Sequence, residues 1–557
     1  MKRLLFEVHR WVGIVLALFM SLWFFSGLLI MYAEPTPPSR AQQLEHADSL
    51  NPDPNWLSAG EAWERSAAQR KELVSKQAAN GQDANREQRA SDKKSVDAGG
   101  NKSHSGGESQ IVEARLLRQA DEPLWLIEDG KGQRFALSAV DGTLHQTSPE
   151  QALKIAENWV NRDIDDDGAS VTYVETIEKP AILRNQEALR PFHRFAVDDI
   201  AGSELLISAR TGEVVHASTR IQRGFYWAGN WLHLFRPLEL AGLGESRVSV
   251  QTWTAFAAVV ASLTGLIIGW LRWRPGLFGK KTYSEGRVHP YRHFWFKWHF
   301  WGGLIGGALV LTWGLSGFLN NNPWQLFSPA NPSKEELIHY VGGEDLSLAR
   351  SWQPASLVGV DGDVVELGWW RLGDEAVQLA YTRDGRRLPQ TSAGTVPRFS
   401  DTLIQAAVHR MVGDVAVAKQ TILQEYDNYY YLRFHRDAAD RPLPVVLVEL
   451  ADAVGTHVYI DPQDGRLLAK QDRSRRVFRW LYSALHHWDF GWLYQRPLWD
   501  GWMLTWVSLG LILSFSAVVI GWKRLVITFR PKHRNVVQAD VPQNAEPARL
   551  ATENQAG

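Results

Sequence analysis

The chain has no cysteine among its 557 residues. That excludes disulfides, thiolate metal sites, iron–sulfur clusters on cysteine and covalent c-type haem, and it leaves the compartment open. Net charge is also nearly absent, with 60 basic against 61 acidic residues. No global field draws in nucleic acid, so no such partner is expected, and the placement of charge matters more than its sum. From about Ser66 to Gln110 large apolar residues almost disappear in favour of Gln, Asn, Gly, Ser, Lys and Glu. Such a stretch cannot bury a core and is expected to be a disordered insert.

Against these absences stand 26 tryptophans, which collect at membrane interfaces and beside large planar ligands, and four long apolar runs. The runs, at 11–32, 250–271, 298–319 and 502–522, are each long enough to cross about 30 Å of hydrocarbon. A signal peptide competes for the first. Its length, its tryptophans and its Met31-Tyr32 end argue against cleavage, as does a later copy of the same helix.

That copy is the organising feature. His9, Trp11, Gly13, Trp23, Ser26 and Gly27 recur without a gap as His299, Trp301, Gly303, Trp313, Ser316 and Gly317. The second and fourth runs share the ending Ile-Gly-Trp, at 268–270 and 520–522, and each follows an aromatic approach carrying Leu-His, at 232–233 and 485–486. The predicted fold is an α-helical integral membrane protein, a four-helix bundle in two tandem halves with two exterior α+β domains. The predicted order is a terminus at 1–10, the first helix, a domain at 33–222, an approach at 223–249, the second helix and a basic loop at 272–297. Then come the third helix, a domain at 320–476, an approach at 477–501, the fourth helix and a tail at 523–557. Period-2 runs predict strands at 124–127, 135–137, 192–197, 204–208, 213–215, 445–448, 456–460 and 466–468, with a helix at 149–161.

Basic residues crowd the N-terminus, the 272–297 loop and the 523–534 flank. By the positive-inside rule these face the cytoplasm. The expected location is a bacterial inner membrane, multi-pass, with both termini cytoplasmic and both domains periplasmic. His9 and His299 then lie toward the inner leaflet, His233 and His486 toward the outer. Two b-type haems, each held by a repeat-related histidine pair, would use the axial ligand available without cysteine. The competing reading of each histidine is an interfacial ring among headgroups. His487 is the alternative to His486. His289 and His293 read as solvated loop residues, and the histidines of the soluble regions and tail show no His-x-x-x-His or Glu-rich metal spacing. Gly13 and Gly303 make room for a flat ring or a close helix, whereas Ser26-Gly27 and Ser316-Gly317 read as small residues at helix contacts. Arg10, Arg236 and Lys297 read as interfacial anchors before propionate partners. Tyr429–Tyr431 and Arg433-Phe-His435-Arg436 fit either a substrate contact or a strand.

These residues resemble the PepSY-associated transmembrane proteins. The similarity lies in His9-Arg10-Trp11 with Trp23-Phe-Phe-Ser-Gly27, in Arg441-Pro-Leu-Pro-Val-Val446 with Gly455-Thr-His-Val-Tyr-Ile-Asp-Pro462, and in Trp480-Leu-Tyr-Ser-Ala-Leu-His486 with Arg496-Pro-Leu-Trp-Asp500. The resemblance implies PepSY-like periplasmic domains and, by similarity to inner-membrane ferric-siderophore reductases, two haems on His9, His299, His233 and His486. Some relatives carry a fused flavin reductase domain, and none is expected here. The expected function is therefore electron transfer to a ferric siderophore or another periplasmic acceptor, fed by a quinol or a cytoplasmic reductase, in a haem-dependent membrane oxidoreductase. Membrane lipid is the remaining partner. The alternative is a membrane-anchored module that binds proteins or regulates a peptidase without a cofactor. A permease is a weaker reading, because the spans carry no interior acidic residue.

Overall fold

The computed structural model describes residues 2–33, 37–76, 111–163, 169–183, 186–277, 281–329, 332–342, 347–353, 362–390, 395–432 and 438–529. Its long helices are α1 (Lys2–Ile30), α2 (Pro149–Asp163), α3 (Arg247–Arg272), α4 (Phe294–Asn320), α5 (Asp401–Val412) and α6 (Leu498–Phe529). Four of them, α1, α3, α4 and α6, are long and apolar enough to cross a membrane. They extend past the apolar runs, and α1 already begins at Lys2, so His9 sits inside the helix rather than at its mouth.

Those four helices close into a ring. Neighbours are α1 with α3, α3 with α4, α4 with α6 and α6 with α1, which sets α1 and α4 across a diagonal. Small residues permit the close approach that packing in lipid requires. A Cβ on Gly510 would lie 2.4 Å from the Phe24 ring, and one on Gly306 would lie 2.9 Å from Leu509.

Among the described residues, the remaining chain builds three sheets from β1 (Ile111–Gln119), β2 (Glu122–Asp129), β3 (Arg134–Ser138), β4 (Leu144–His145), β5 (Val171–Ile177), β6 (Phe192–Val197), β7 (Glu204–Ser208), β8 (Val214–Ser218), β9 (Val364–Leu372), β10 (Glu375–Thr382), β11 (Arg387–Gln390), β12 (Thr395–Val396), β13 (Val417–Leu423), β14 (Val445–Leu450), β15 (His457–Ile460) and β16 (Leu467–Gln471). Strands β5–β8 form one antiparallel sheet under α2, and β13–β16 form another associated with α5. The third sheet corrects the expectation of two separate domains. Its order is β11-β10-β9-β1-β2-β3-β4, so strands from both soluble regions share it. The join is the antiparallel pairing of β1 with β9, where Leu116 faces Leu367. Each four-stranded contribution has an apolar face to cover, and Trp125 of β2 and Trp369 of β9, both 0 % exposed with ring centres 4.9 Å apart, cover it jointly.

Ion pairs bind the smaller sheets to this shared one. Arg115 on β1 pairs with Glu213, at the β7–β8 turn, at 2.8 Å. Arg387 on β11 pairs with Asp461, at the β15–β16 turn, at 2.6 Å. Burial alone would raise the Glu213 carboxyl, but Arg115 and Arg134 together hold it down at about 2.

Two further expectations change. The insert does not begin at Ser66: that residue is buried, and residues 67–76 are helical with Leu73 against the tryptophan core. Lone apolar residues such as Leu73 suffice to dock a helical turn that composition alone conceals. The rest of the proposed insert, the Arg433–Arg436 motif and the tail beyond 529 lie outside the described residues. His289 is also no solvated loop residue. The basic loop folds back on itself through Arg274 N–H to the Val288 carbonyl and Tyr283 N–H to the Arg287 carbonyl, both 2.8 Å. This places the His289 ring, 7 % exposed, 5.2 Å from Phe300 and 5.8 Å from Trp301.

Candidate functional site

Because α1 and α4 lie across the bundle diagonal, His9 and His299 meet in its interior, with ring centres 6.2 Å apart and planes at 46°. The approaches before α3 and α6 bring His233 and His486 together at the same centre-to-centre distance, 6.2 Å, with planes at 77°. His487 does not face His233. Its Nδ1 lies 3.3 Å from the Ser483 carbonyl, and its own carbonyl accepts from Trp499. The two pairs sit at opposite ends of the bundle. His233 lies beside Ser26, and the 17 residues of α1 from His9 to Ser26 rise roughly 25 Å.

Each ring is held through Nδ1. His9 Nδ1 lies 3.0 Å from the Ala261 carbonyl and 3.4 Å from Thr264 Oγ1 on α3. His299 Nδ1 lies 3.2 Å from Ser516 Oγ on α6. In the outer pair, His233 Nδ1 is 3.1 Å from Ser26 Oγ on α1, and His486 Nδ1 is 3.0 Å from Ser316 Oγ on α4. Trp23 and Trp313 add a second restraint there, donating Nε1–H to the His233 and His486 carbonyls at 3.0 and 3.1 Å. The repeated Trp and Ser of the opening motif are thus contacts to the outer histidines, and the reading of Ser26 and Ser316 as mere helix-contact residues is corrected. Gly27 and Gly317 adjoin the same rings less tightly: a Cβ at either would lie 3.6 or 3.8 Å from the imidazole, an ordinary van der Waals contact. Gly265 is tighter, at 2.7 Å from His9 Cε1. Gly13 borders open space, and Gly303 faces Leu513 at 3.7 Å.

The backbone that carries the outer pair is unusual in the same way twice. A π-helical turn spans Tyr226–Trp231 before His233 and Arg479–Ala484 before His486, in identical register. Two residues beyond each histidine, Phe235 and Trp488 take positive φ of 54° and 53°. A non-glycine residue in that region costs about 1 kcal/mol or more, so two matching instances mark a backbone shaped for its histidine. Arg479 braces the second copy. It donates from Nη1 to Asp489 Oδ1 at 2.9 Å and from Nε to the Asn428 carbonyl at 2.9 Å, and Tyr431 donates to the same carboxylate at 2.7 Å. Tyr430 is fully buried and bonds to the Pro442 carbonyl, which gives it a core role, and Arg10 pairs with Glu7.

Two imidazoles on opposite sides of one metal atom stand roughly 6.3 Å apart centre to centre, given metal–nitrogen bonds of about 2.0–2.1 Å and about 1.1 Å from nitrogen to ring centre. Both pairs match that spacing. Among the described residues no group of three or more His, Asp or Glu could hold a metal ion. Two imidazoles alone under-coordinate a metal, and a macrocycle contributing four further nitrogens would be needed to complete the set.

A family model described as the PepSY-associated TM region matches residues 6–357, which include His9, His233 and His299. No curated protein matches the chain.

Proposed function

The chain belongs to the PepSY-associated TM family, and from that premise we propose that this membrane protein carries electrons across the bilayer between two haem sites and delivers them to a periplasmic acceptor. The observation that carries the reading is the pair of pairs: four histidines from repeat-equivalent positions meet two by two at one spacing. A b-type haem at each pair would supply reversible one-electron chemistry with neutral imidazoles as axial ligands. The chain's own part is to fix each ring, exclude water and set the two sites at opposite leaflets. His9 and His299 would hold the inner group, His233 and His486 the outer one.

Orientation follows from the basic flanks. Lys2, Arg3, Arg272, Arg274, Arg292, Lys297, Lys523 and Arg524 lie at the end of the bundle that holds His9 and His299. The positive-inside rule makes that end cytoplasmic and the sheets periplasmic, in a bacterial inner membrane. The donor is then a quinol or a cytoplasmic reductase. A ferric siderophore suits the acceptor role, because reduction to Fe(II) weakens binding by hard oxygen ligands.

Visible spectroscopy of the purified protein tests the reading. A Soret band and a dithionite-reduced α-band are expected, with two haems per chain. Replacing His9 or His299 with Ala removes one haem and spares the other, and His233→Ala or His486→Ala does the reverse. A protein made with ample haem that shows no Soret band sinks the proposal and leaves the cofactor-free anchoring module.

A further inference from the structure

Four hydroxyls sit in one arrangement. Each belongs to a helix, gives its hydrogen to a carbonyl three or four residues earlier, and turns its oxygen to a histidine from another segment. Thr264 Oγ1 donates to the Val260 carbonyl at 2.7 Å, Ser26 Oγ to Leu22 at 2.7 Å, Ser516 Oγ to Leu513 at 2.6 Å and Ser316 Oγ to Trp313 at 3.1 Å. A hydroxyl has a single hydrogen. Once that is committed to a carbonyl, the oxygen accepts, and the imidazole opposite must donate. The inner site shows this independently, because His9 Nδ1 also faces the Ala261 carbonyl, which has no proton to offer.

We propose that Thr264, Ser516, Ser26 and Ser316 are positioning residues that lock His9, His299, His233 and His486 as their Nδ1–H tautomers and so assign Nε2 to the metal at both sites. This rests on the haem reading above and adds which nitrogen ligates and how basic it is. An imidazole whose N–H is donated is a stronger base, and its partners orient the ring and tune the metal. A stronger base favours the oxidised, more highly charged iron. Loss of an acceptor therefore raises the midpoint potential of the site it serves. The arrangement is modular, since α3 and α6 hold the inner rings and α1 and α4 the outer.

The test is a spectroscopic redox titration of the full-length, haem-loaded protein. Ser26→Ala and Ser316→Ala should each shift the outer midpoint upward and leave the inner one in place. Thr264→Val and Ser516→Ala should move only the inner one, Thr264→Val the less, because the Ala261 carbonyl remains. Ser26→Thr and Ser316→Thr, which restore a hydroxyl, should return the outer midpoint toward its original value. Where an alanine variant does not accumulate, Ser→Cys, a weak acceptor of similar size, takes its place with the same expected shift. Unchanged midpoints in the alanine variants, or shifts in the threonine variants as large as those in alanine, overturn the assignment while the haem reading stands. Wild-type protein without haem overturns both.

Discussion

A histidine presents one ring nitrogen reliably only when something holds the other, and the space around it must be cleared as well. Gly265 does the clearing for His9. A methyl there would lie 2.7 Å from Cε1 of a ring already tied to Ala261, so ring and helix cannot both stay put. Gly265→Ala should therefore cost the inner haem, read as a fall of about half in the haem-to-protein ratio, whereas Gly27→Ala, with 3.6 Å available, should retain both. His216 on β8 tests burial in the sheets. It is 1 % exposed, and burial, with Arg223 nearby, pushes it down to about 4. The unfolded chain takes up that proton more readily, so the stability this residue contributes above about pH 6.5 is lost as pH falls toward 4, by at most about 3 kcal/mol. Chemical unfolding of His216→Gln at several pH values should show a flatter profile in that window. At this scale much of the site was legible. The gapless repeat pointed to His9 and His299 and put Ser26 and Ser316 in view, and the Leu-His of the two approaches pointed to His233 and His486. Thr264 and Ser516 can also be aligned, through the Ile-Gly-Trp helix ends, but a hydroxyl's role depends on what lies across the bundle, and spacing along one chain does not contain that.

Among the elements, the π turns were the least legible. One extra residue in a helical turn leaves composition and periodicity almost unchanged, so the aromatic approaches read as interfacial segments carrying a histidine, with no sign of the turn that shapes them. The structure gives each the same register ahead of its histidine, yet braces them differently. Arg479 stands where the first half has Tyr226, and its guanidinium is enclosed by Asp489, Asn428 and the Tyr431 and Trp480 rings. Asp489 is 2 % exposed. Removing one partner of a buried pair leaves the other charge stranded, which costs about 3–5 kcal/mol. Arg479→Met should lower the thermal midpoint of the detergent-solubilised protein and weaken the outer site more than the inner. Arg496→Met, whose guanidinium is 43 % exposed and pairs with Asp500 at the start of α6, should change the midpoint little.

Over the whole molecule, the repeat predicts two copies of a unit; the bundle and the two smaller sheets obey it, while the third sheet joins the copies. Period-2 patterning located strands such as β6 and β7 because alternation is local. It could not show that β1 pairs with β9, more than 240 residues away, since an apolar strand edge does not name its partner. The exchange has a mechanical meaning. The β7–β8 turn reaches β1 through Glu213 and Arg115, Arg115 also faces Glu366 on β9, and the β15–β16 turn reaches β11 through Asp461 and Arg387. Both soluble regions thus close around one sheet, and each also leads through its approach to one histidine of the outer pair. Damage in the first region should then be felt in the second. Arg115→Met removes the cation that Glu113, Glu213 and Glu366 share, at a cost of at most about 3–5 kcal/mol, because Arg134 still faces Glu213 and Arg40 still pairs with Glu366. Hydrogen-exchange mass spectrometry of that variant should show protection falling in β9 and β10 as well as in β1 and β8. Loss confined to residues before α3 would mean that the two regions are independent domains after all, and that the shared sheet does not couple them.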